Sequence, residues 1–463
     1  MPATLPLIDP ISASAESAPR RTWSASRWFL VLAWTFGTIF SFLTPPFQVP
    51  DEYHHFYRSY QVSEGHLAQT IWNKQPGGFL PSSLIDFQNR VSQDIPHNPD
   101  RKQDFQTLLE MRKIALNPGQ RQFVVFPWYS PTIYFPQALG MAAARLLGFG
   151  PLGLLYAGRL GNLLVWSLLI HLSLRLIPML DWTLLLLALT PMSLYQAASL
   201  SGDAMVNALC FLFIATVLRL AVGDNETVKP RHIAGLILLG SAIALAKTAY
   251  LPLTLLLLMI PAEKFGGRRR FWITLGIFAL VTASISVCWT LSTYQNFLNA
   301  GSSPMRQIVS RLTHPSEILR SYVGQLFSIN FLCSIIGKLG WYDTRLWRPS
   351  IVVYVVALVL STQMHGWPSV RLQRWQKTIV ALSAVGVWLT VFALVDLAFT
   401  QVGAEGVTSL QGRYLIPATP LVCLLLYPTP RLRRREWGPL IVGFSACFCV
   451  FIALTLLRRF YIS

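Results

Sequence analysis

The chain has 463 residues, of which 53% are apolar and only 13% are charged, and its mean hydropathy is +0.46. Apolar runs recur as far as the C-terminus, which excludes an ordinary soluble enzyme and predicts an all-α, polytopic membrane protein. The net charge of +18 could suggest nucleic acid, but the arginines stand in short clusters between apolar runs. We interpret this charge as membrane topology and expect no nucleic-acid partner.

The N-terminal segment is rich in Ser, Ala and Pro and carries three arginines before the first apolar run at 28–43. We expect residues 1–27 to form a disordered cytoplasmic tail. Residues 28–463 are predicted to form one multi-pass membrane domain, surrounded by membrane lipids.

Two adjacent carboxylates, Asp51 and Glu52, follow the first apolar run directly, and His54, His55 and Arg58 lie in the same short stretch. Charges at the end of a bilayer-spanning helix are either ordinary interfacial residues or part of a site. The rest of the chain favours a site, as described below.

Two long polar segments are predicted to lie outside the cytoplasm, 44–126 and 292–348. The first balances eight basic against eight acidic residues, as an outer loop should, and loops of this length are usually functional. The second contains an amphipathic stretch at 304–326. Between them, the proline-rich and aromatic segment 127–136 leads into a short apolar helix ending near 147, which suits a position at the membrane interface.

About eleven membrane-spanning helices are predicted in total. They are expected near 28–43, 155–176, 182–200, 204–221, 233–246, 250–260, 271–291, 351–363, 378–399, 414–427 and 440–457. With a cytoplasmic N-terminus, alternate crossings place the basic clusters 264–270, 371–377 and 431–435 inside, as the positive-inside rule requires. The basic pair 458–459 is the one exception, since it falls outside.

The same order of crossings brings several charged residues to the outer ends of spans: Asp51, Glu52, Asp203, Lys247 and Arg413, with Asp396 one turn inside a span. A lone lysine there often snorkels, and a lone aspartate often caps the next helix. Together, however, carboxylates and cations at one membrane face under long loops describe a site for an anionic lipid headgroup.

These residues resemble those of membrane glycosyltransferases of the GT-C fold. The similarity rests on the acidic pair after the first span, the 129–136 helix start, Gly158-Arg159-Leu160, Asp203, Ala246-Lys247-Thr248 and Arg413-Tyr414-Leu415-Ile416-Pro417, in that order. Residues 45–65 and 411–417 resemble more closely a group of predicted bacterial membrane proteins of uncharacterised function that is placed near those transferases. The resemblance implies transfer of a sugar from a polyprenyl-phosphate donor to a glycan or lipid acceptor on the outer face. It also implies a location in a bacterial inner (plasma) membrane.

The residues agree with such a reaction. Attack of a hydroxyl on an anomeric carbon needs a carboxylate to take the proton, a role that the resemblance gives to Asp51. Glu52 is predicted to be the second catalytic residue, which positions the acceptor. Arg413 and Lys247 are expected to bind the donor phosphate. His54, His55, Arg58, Asp203 and Tyr414 are predicted to position substrates. A single displacement would invert the anomeric centre.

Three alternatives remain open. A flippase or other transporter of lipid-linked sugars would explain the spans, but its charges should lie near the midplane between inverted repeats. A polysaccharide polymerase or ligase also uses lipid-linked donors, and a non-catalytic scaffold leaves the acidic pair unexplained. The sequence requires no cofactor, although Asp51, Glu52, His54 and Asp203 carry oxygen and nitrogen donors that could hold a divalent metal.

Overall fold

The structure is a computed structural model that describes residues 23–462, except 93, 128, 178, 224–226, 300–303, 314, 364–371, 403, 405, 408 and 428–436. Most of the predicted tail at 1–27 and the whole basic cluster at 431–435 therefore lie outside the described residues, as does the first residue of the cluster at 371–377.

Helices account for most of the described chain. They are α1 (Ala25–Leu43), α2 (Glu52–Ser63), α3 (Ser82–Ser92), α4 (Phe105–Met111), α5 (Phe135–Leu146), α6 (Pro151–Leu176), α7 (Asp181–Ala188), α8 (Pro191–Ala197), α9 (Asp203–Val222), α10 (Pro230–Ala246), α11 (Arg268–Asn299), α12 (Pro304–Thr313), α13 (Pro315–Leu326), α14 (Ile329–Ile336), α15 (Arg348–Ser361), α16 (Arg374–Phe399), α17 (Thr419–Leu426) and α18 (Gly438–Phe460). Four 3₁₀ helices cover Pro131–Tyr134, Thr248–Met259, Ala262–Phe265 and Gly412–Ala418.

Six described helices are long and apolar enough to cross a membrane, namely α1, α6, α9, α11, α16 and α18. A seventh is added if α13 and α14, which meet at a 53° bend, count as one span. The α9 helix is apolar on all sides and mostly buried, as expected of a helix at the centre of a bundle. The chain is therefore a polytopic helical protein, and the count of eleven spans stays a prediction.

Several predicted spans differ from the structure in form. The single span predicted at 182–200 is instead two short helices, α7 and α8, because Pro191 begins a new helix capped by the Thr190 side chain. The span predicted at 250–260 is a 3₁₀ helix with Pro252 inside it. The spans predicted at 233–246, 351–363 and 414–427 are shorter apolar helices than a full crossing normally needs.

The first long polar segment is not wholly helical, which corrects the all-α prediction. An antiparallel sheet of β1 (Thr70–Trp72), β2 (Gln75–Pro81) and β3 (Arg121–Val125) lies within it, with Phe79 paired to Phe123. This sheet and helices α2 to α4 enclose a separate aromatic core that includes Phe47, Phe56 and Phe87. In the second segment, β4 (Lys338–Leu339) and β5 (Thr344–Arg345) form a short hairpin. Both polar segments are folded parts of the protein.

The C-terminal end of α18 contacts both polar segments. Arg459 donates to the carbonyls of Ile95 and Asn98 at 3.1 Å each, and it forms an ion pair with Asp343 at 2.7 Å. Lys102 donates to the carbonyl of Arg459 at 3.0 Å. The basic pair 458–459 thus lies at the same face as the two polar segments. There, Arg459 neutralises the carboxylate of Asp343 and binds loop carbonyls. In the predicted orientation, this contact accounts for the exception that residues 458–459 make to the positive-inside rule.

Candidate functional site

The turn between α1 and α2 places Asp51 at the site. Pro45 and Pro46 follow the end of α1, and Asp51 then adopts a left-handed conformation with φ 62° as the residue before α2. An aspartate at this position usually caps the helix, but the side chain of Asp51 makes no capping hydrogen bond. Its carboxylate is 47% exposed, so it remains accessible from solvent.

Glu52 has a different environment, although it is adjacent in sequence. Its carboxylate is fully buried and accepts hydrogen bonds from Arg159 at 2.8 and 2.6 Å. The backbone N–H groups of Phe47 and Leu200 donate to the same carboxylate at 3.0 and 3.1 Å. Arg159 also donates to carbonyls of residues 41, 44 and 45, at the end of α1. The structure contradicts the catalytic role predicted for Glu52, because every one of these contacts is internal and the side chain cannot reach a ligand.

Two cations lie beside the remaining carboxylates. Arg413, at the start of the 3₁₀ helix Gly412–Ala418, lies 3.6 Å from Asp51 Oδ2 and 3.4 Å from Asp203 Oδ2. Lys247, directly after α10, forms an ion pair with the other oxygen of Asp203. The structure therefore brings Asp51, Asp203, Lys247 and Arg413 together from four distant parts of the chain, as the sequence predicted. We call these four residues the charged cluster.

Burial differs across the charged cluster. The Arg413 side chain is only 4% exposed, and its Nε forms no hydrogen bond within the part of the chain that the structure describes. Asp203 also accepts from Gln196 Nε2 at 3.1 Å, so it is the better fixed of the two carboxylates. The Arg413 Nε is the atom that lies 3.4 Å from Asp203 Oδ2. An anion entering the cluster would therefore meet a buried guanidinium held by ionic contacts, and a half-exposed carboxylate that it can displace.

Tyrosine rings surround the two cations. Tyr414 lies beside both of them, with its ring centre 4.9 Å from Lys247 Nζ and 5.4 Å from the Arg413 guanidinium. Tyr250 donates to the carbonyl of Tyr414 at 2.9 Å. Tyr342, at the tip of the β4–β5 hairpin, has its ring centre 5.8 Å from the same guanidinium. The rings of Tyr414 and Tyr342 therefore add cation–π contacts to the ion pairs of the cluster.

Tyr342 and Gln196 are site residues that the sequence did not reveal. A tyrosine in a polar loop and a glutamine in an apolar run have no distinctive spacing. Only the packing of the hairpin and of α8 against the cluster brings them there.

The two predicted histidines differ in burial. His55 is buried, and its Nδ1 lies 2.8 Å from the hydroxyl of Tyr134. Burial lowers the pKa of His55 to about 4, against the opposing charge of Asp51, so the ring is neutral at pH 7. His54 is half-buried, and burial lowers its pKa as well. Of the two, His54 has the more open side chain.

Arg58 has structural contacts, in contrast to the predicted role in substrate positioning. It is almost fully buried and donates to the carbonyls of Leu67 at 2.5 Å and Tyr129 at 3.4 Å, and to the side chain of Gln61. Burial lowers its pKa to about 10, which still leaves it charged at pH 7. The guanidinium therefore joins α2 to the loops on either side of the sheet and does not face the charged cluster.

Within the described residues, no group of three or more His, Cys, Asp or Glu side chains could hold a metal ion. In the donor set named from the sequence, the Glu52 carboxylate is already bound by Arg159. The Asp203 carboxylate is already bound by Lys247, Arg413 and Gln196.

The protein combines apolar helices of membrane-spanning length with folded polar segments at one face and a charged cluster beneath them. These features define a polytopic membrane protein. Residues 34–422, which include the whole charged cluster, match the family model described as Predicted membrane protein (DUF2142). The match covers most of the chain, so the chain belongs to this family. Comparison with curated proteins and with solved structures gives no match in either set.

Proposed function

We propose that this protein is a membrane glycosyltransferase of the GT-C type that moves a sugar from a polyprenyl-phosphate donor to an acceptor hydroxyl at the outer face of a bacterial inner membrane. The observation that carries the proposal is the charged cluster, in which a half-exposed carboxylate lies within 3.6 Å of a buried guanidinium. This arrangement combines a proton acceptor with a cation for a phosphate leaving group.

Asp51 is the general base in this proposal. Its carboxylate takes the proton of the acceptor hydroxyl while the oxygen attacks the anomeric carbon of the donor sugar. The bond between that carbon and the phosphate oxygen breaks, and its electron pair leaves with the lipid phosphate. A single displacement of this kind inverts the anomeric centre.

Arg413 and Lys247 stabilise the departing phosphate. A guanidinium can bind two phosphate oxygens at once, and the ammonium adds a point charge. The four charges of the cluster sum to zero, so an incoming phosphate must displace a carboxylate from a cation. Asp51 is the more exposed carboxylate and has the longer contact to Arg413, so it is the one displaced. Donor binding then frees the base for the acceptor.

An apolar cavity of about 400 Å³ supports the proposal that the donor is lipid-linked. Leu415 and Ile416, which follow Arg413 and Tyr414 in the same 3₁₀ helix, line this cavity together with Leu187, Trp388 and Val422. A phosphate bound at Arg413 would therefore have an apolar space close by for the first isoprene units of its carrier.

An enzyme acting at this site is distinguished from a flippase by the product that accumulates. The experiment is reconstitution of the purified full-length chain in liposomes with radiolabelled polyprenyl-phosphate sugars and a panel of glycan and glycolipid acceptors. We expect labelled product with the native chain and none with Asp51→Asn. Movement of intact donor across the bilayer without any glycosidic product would contradict the proposal and favour a transporter.

Mass spectrometry of surface glycans from cells with and without the protein identifies the acceptor class. Loss of one sugar residue from a glycan or glycolipid is expected, and the complementing Asp51→Asn chain should not restore it. Restoration by Asp51→Asn would show that the cluster is structural.

A further inference from the structure

The α12 helix carries its polar residues towards the protein and its apolar residues outwards. Gln307 is almost fully buried and Arg311 is half-buried, and both contact α16. On the other side, Met305, Val309 and Leu312 are 68%, 55% and 74% exposed. A surface helix in water has the opposite arrangement, because apolar side chains are stabilised by leaving water. The outer face of α12 therefore needs an apolar medium.

A buried carboxylate of α16 fixes this orientation. Asp396 accepts from Arg311 Nε and from a terminal nitrogen of the same guanidinium at 2.9 Å each. Gln307 Nε2 lies 3.2 Å from one of its oxygens, and the hydroxyl of Tyr322 on α13 lies 3.4 Å from the other. Removing a partner from a buried, bidentate pair is costly, so α12 cannot easily rotate its apolar face inwards.

The same contact sets the depth of α12. Asp396 lies three residues before the end of α16, a helix long and apolar enough to cross a membrane. At 1.5 Å per residue, this places the contact about 5 Å inside the end of that helix. Amphipathic helices in a bilayer interface bury their apolar face about 5–10 Å into the boundary between headgroups and acyl chains.

The apolar face continues along α13 and is accompanied by cations. Leu319 and Val323 lie one turn apart on α13 and are 59% and 38% exposed, and Phe327 directly after it is 73% exposed. Arg306 on α12 and Arg320 on α13 are exposed beside this face. Apolar side chains flanked by arginines match a bilayer surface, where acyl chains lie beneath phosphates.

We propose that α12 and α13 lie in the membrane interface, at the same face of the membrane as the charged cluster, with this apolar face in the lipid and the two arginines at the phosphates. The occupant is the bilayer itself. The face adjoins α16, on which Leu382, Leu389 and Leu394 are also exposed, because α12 packs on the end of that helix. This inference does not rest on the proposed enzymatic activity.

Site-directed fluorescence tests the position. A full-length background without the six native cysteines receives single cysteines by Met305→Cys, Val309→Cys or Leu312→Cys, each labelled with a polarity-sensitive fluorophore and reconstituted in liposomes. Asn89→Cys, exposed on α3, is the control for water, and Leu280→Cys, exposed on the apolar α11, is the control for lipid.

Each α12 label is expected to emit at shorter wavelength than the label at residue 89. Lipids that carry a nitroxide near the headgroup should quench the α12 labels more strongly than lipids that carry one deep in the acyl chain. The label at residue 280 should show the reverse preference. Emission and iodide quenching equal to those at residue 89 would overturn the proposal. So would protection from both lipid nitroxides and iodide, which would mean that a second copy or another protein covers the face.

Discussion

Arg159 and Glu52 form a fully buried ion pair in which one guanidinium donates to both carboxylate oxygens, at 2.8 and 2.6 Å. The pair joins α6 to the first turn of α2, and the same guanidinium binds the carbonyls of residues 41, 44 and 45 that end α1. Because Asp51 is the residue before Glu52, the pair fixes the turn that presents Asp51 to the charged cluster.

Glu52→Gln is expected to destabilise the protein. Removing one charge of a buried pair leaves the other uncompensated, which typically costs about 3–5 kcal/mol. The measurement is the Tm of the purified protein in detergent, with Asp51→Asn as the matched control, since that carboxylate is half exposed. We expect a large drop in Tm for Glu52→Gln and almost none for Asp51→Asn. Equal Tm values would show that the buried pair contributes little to stability.

Asp51→Asn is expected to abolish sugar transfer in a folded and inserted protein. The amide keeps the shape of the side chain but cannot accept the proton, and loss of a general base typically costs about 10²- to 10⁴-fold in rate. The initial rate of product formation in liposomes measures this effect. Asp86→Asn, on the exposed side of α3, is a matched control that should keep full activity. Full activity of Asp51→Asn would leave the proposed mechanism without a base.

Stability is expected to fall as the pH drops from 7 to 5, in part because of His55. Its pKa is lowered to about 4 in the folded chain by burial, while the ordinary value of about 6.5 applies once the chain unfolds. Between these values the unfolded chain binds a proton that the folded chain does not, so protonation favours unfolding. The Tm should therefore decrease less steeply over this pH range in His55→Gln than in the native chain. Identical slopes would mean that His55 titrates normally in the folded protein.

The sequence predicted the charged cluster because its members stand at the ends of apolar runs, and alternate crossings bring such ends to one face. Asp203, Lys247 and Arg413 were found in this way. The residue pattern alone did not show that Asp51 is exposed and Glu52 buried, since adjacent residues share the same local pattern; only the resemblance gave the general-base role to Asp51. The direction of each side chain depends on a left-handed residue and on Arg159, which lies more than a hundred positions away.

The fold was predicted less completely than the cluster. Long uniform runs such as α9 and α16 were located correctly because a bilayer-spanning helix needs only length and hydropathy. The sheet was missed because β2 includes two prolines and two glycines, which are unfavourable in strands, and its pairing with β3 spans over forty residues. Asp396 was predicted one turn inside the outer end of a span, but its partner Arg311 was not predicted, because that contact depends on the fold of a distant loop.

Residues 44–126 are expected to lie outside the cytoplasm. In a background without native cysteines, Asn89→Cys on α3 and Glu263→Cys beside the basic cluster 264–270 place one exposed thiol at each end of the molecule. A membrane-impermeant thiol reagent applied to intact cells should label residue 89 only, and both should be labelled after the membrane is opened. Labelling of residue 263 alone in intact cells would reverse the orientation and move the charged cluster to the cytoplasmic face.

Arg413→Lys and Lys247→Ala are expected to weaken use of the donor more than use of the acceptor. A lysine retains the charge at position 413 but cannot bind two phosphate oxygens in the plane of a guanidinium, and alanine at 247 removes a charge-assisted contact. Titration of donor and acceptor in liposomes should therefore show a raised KM for the donor in both variants, with the acceptor KM nearly unchanged. Arg121→Lys and Lys113→Ala, at exposed positions of the first polar segment, are matched controls for charge and should behave as the native chain does. A donor KM equal to that of the controls would mean that Arg413 and Lys247 serve only to pair with Asp51 and Asp203, and the transferase proposal would then rest on Asp51 alone.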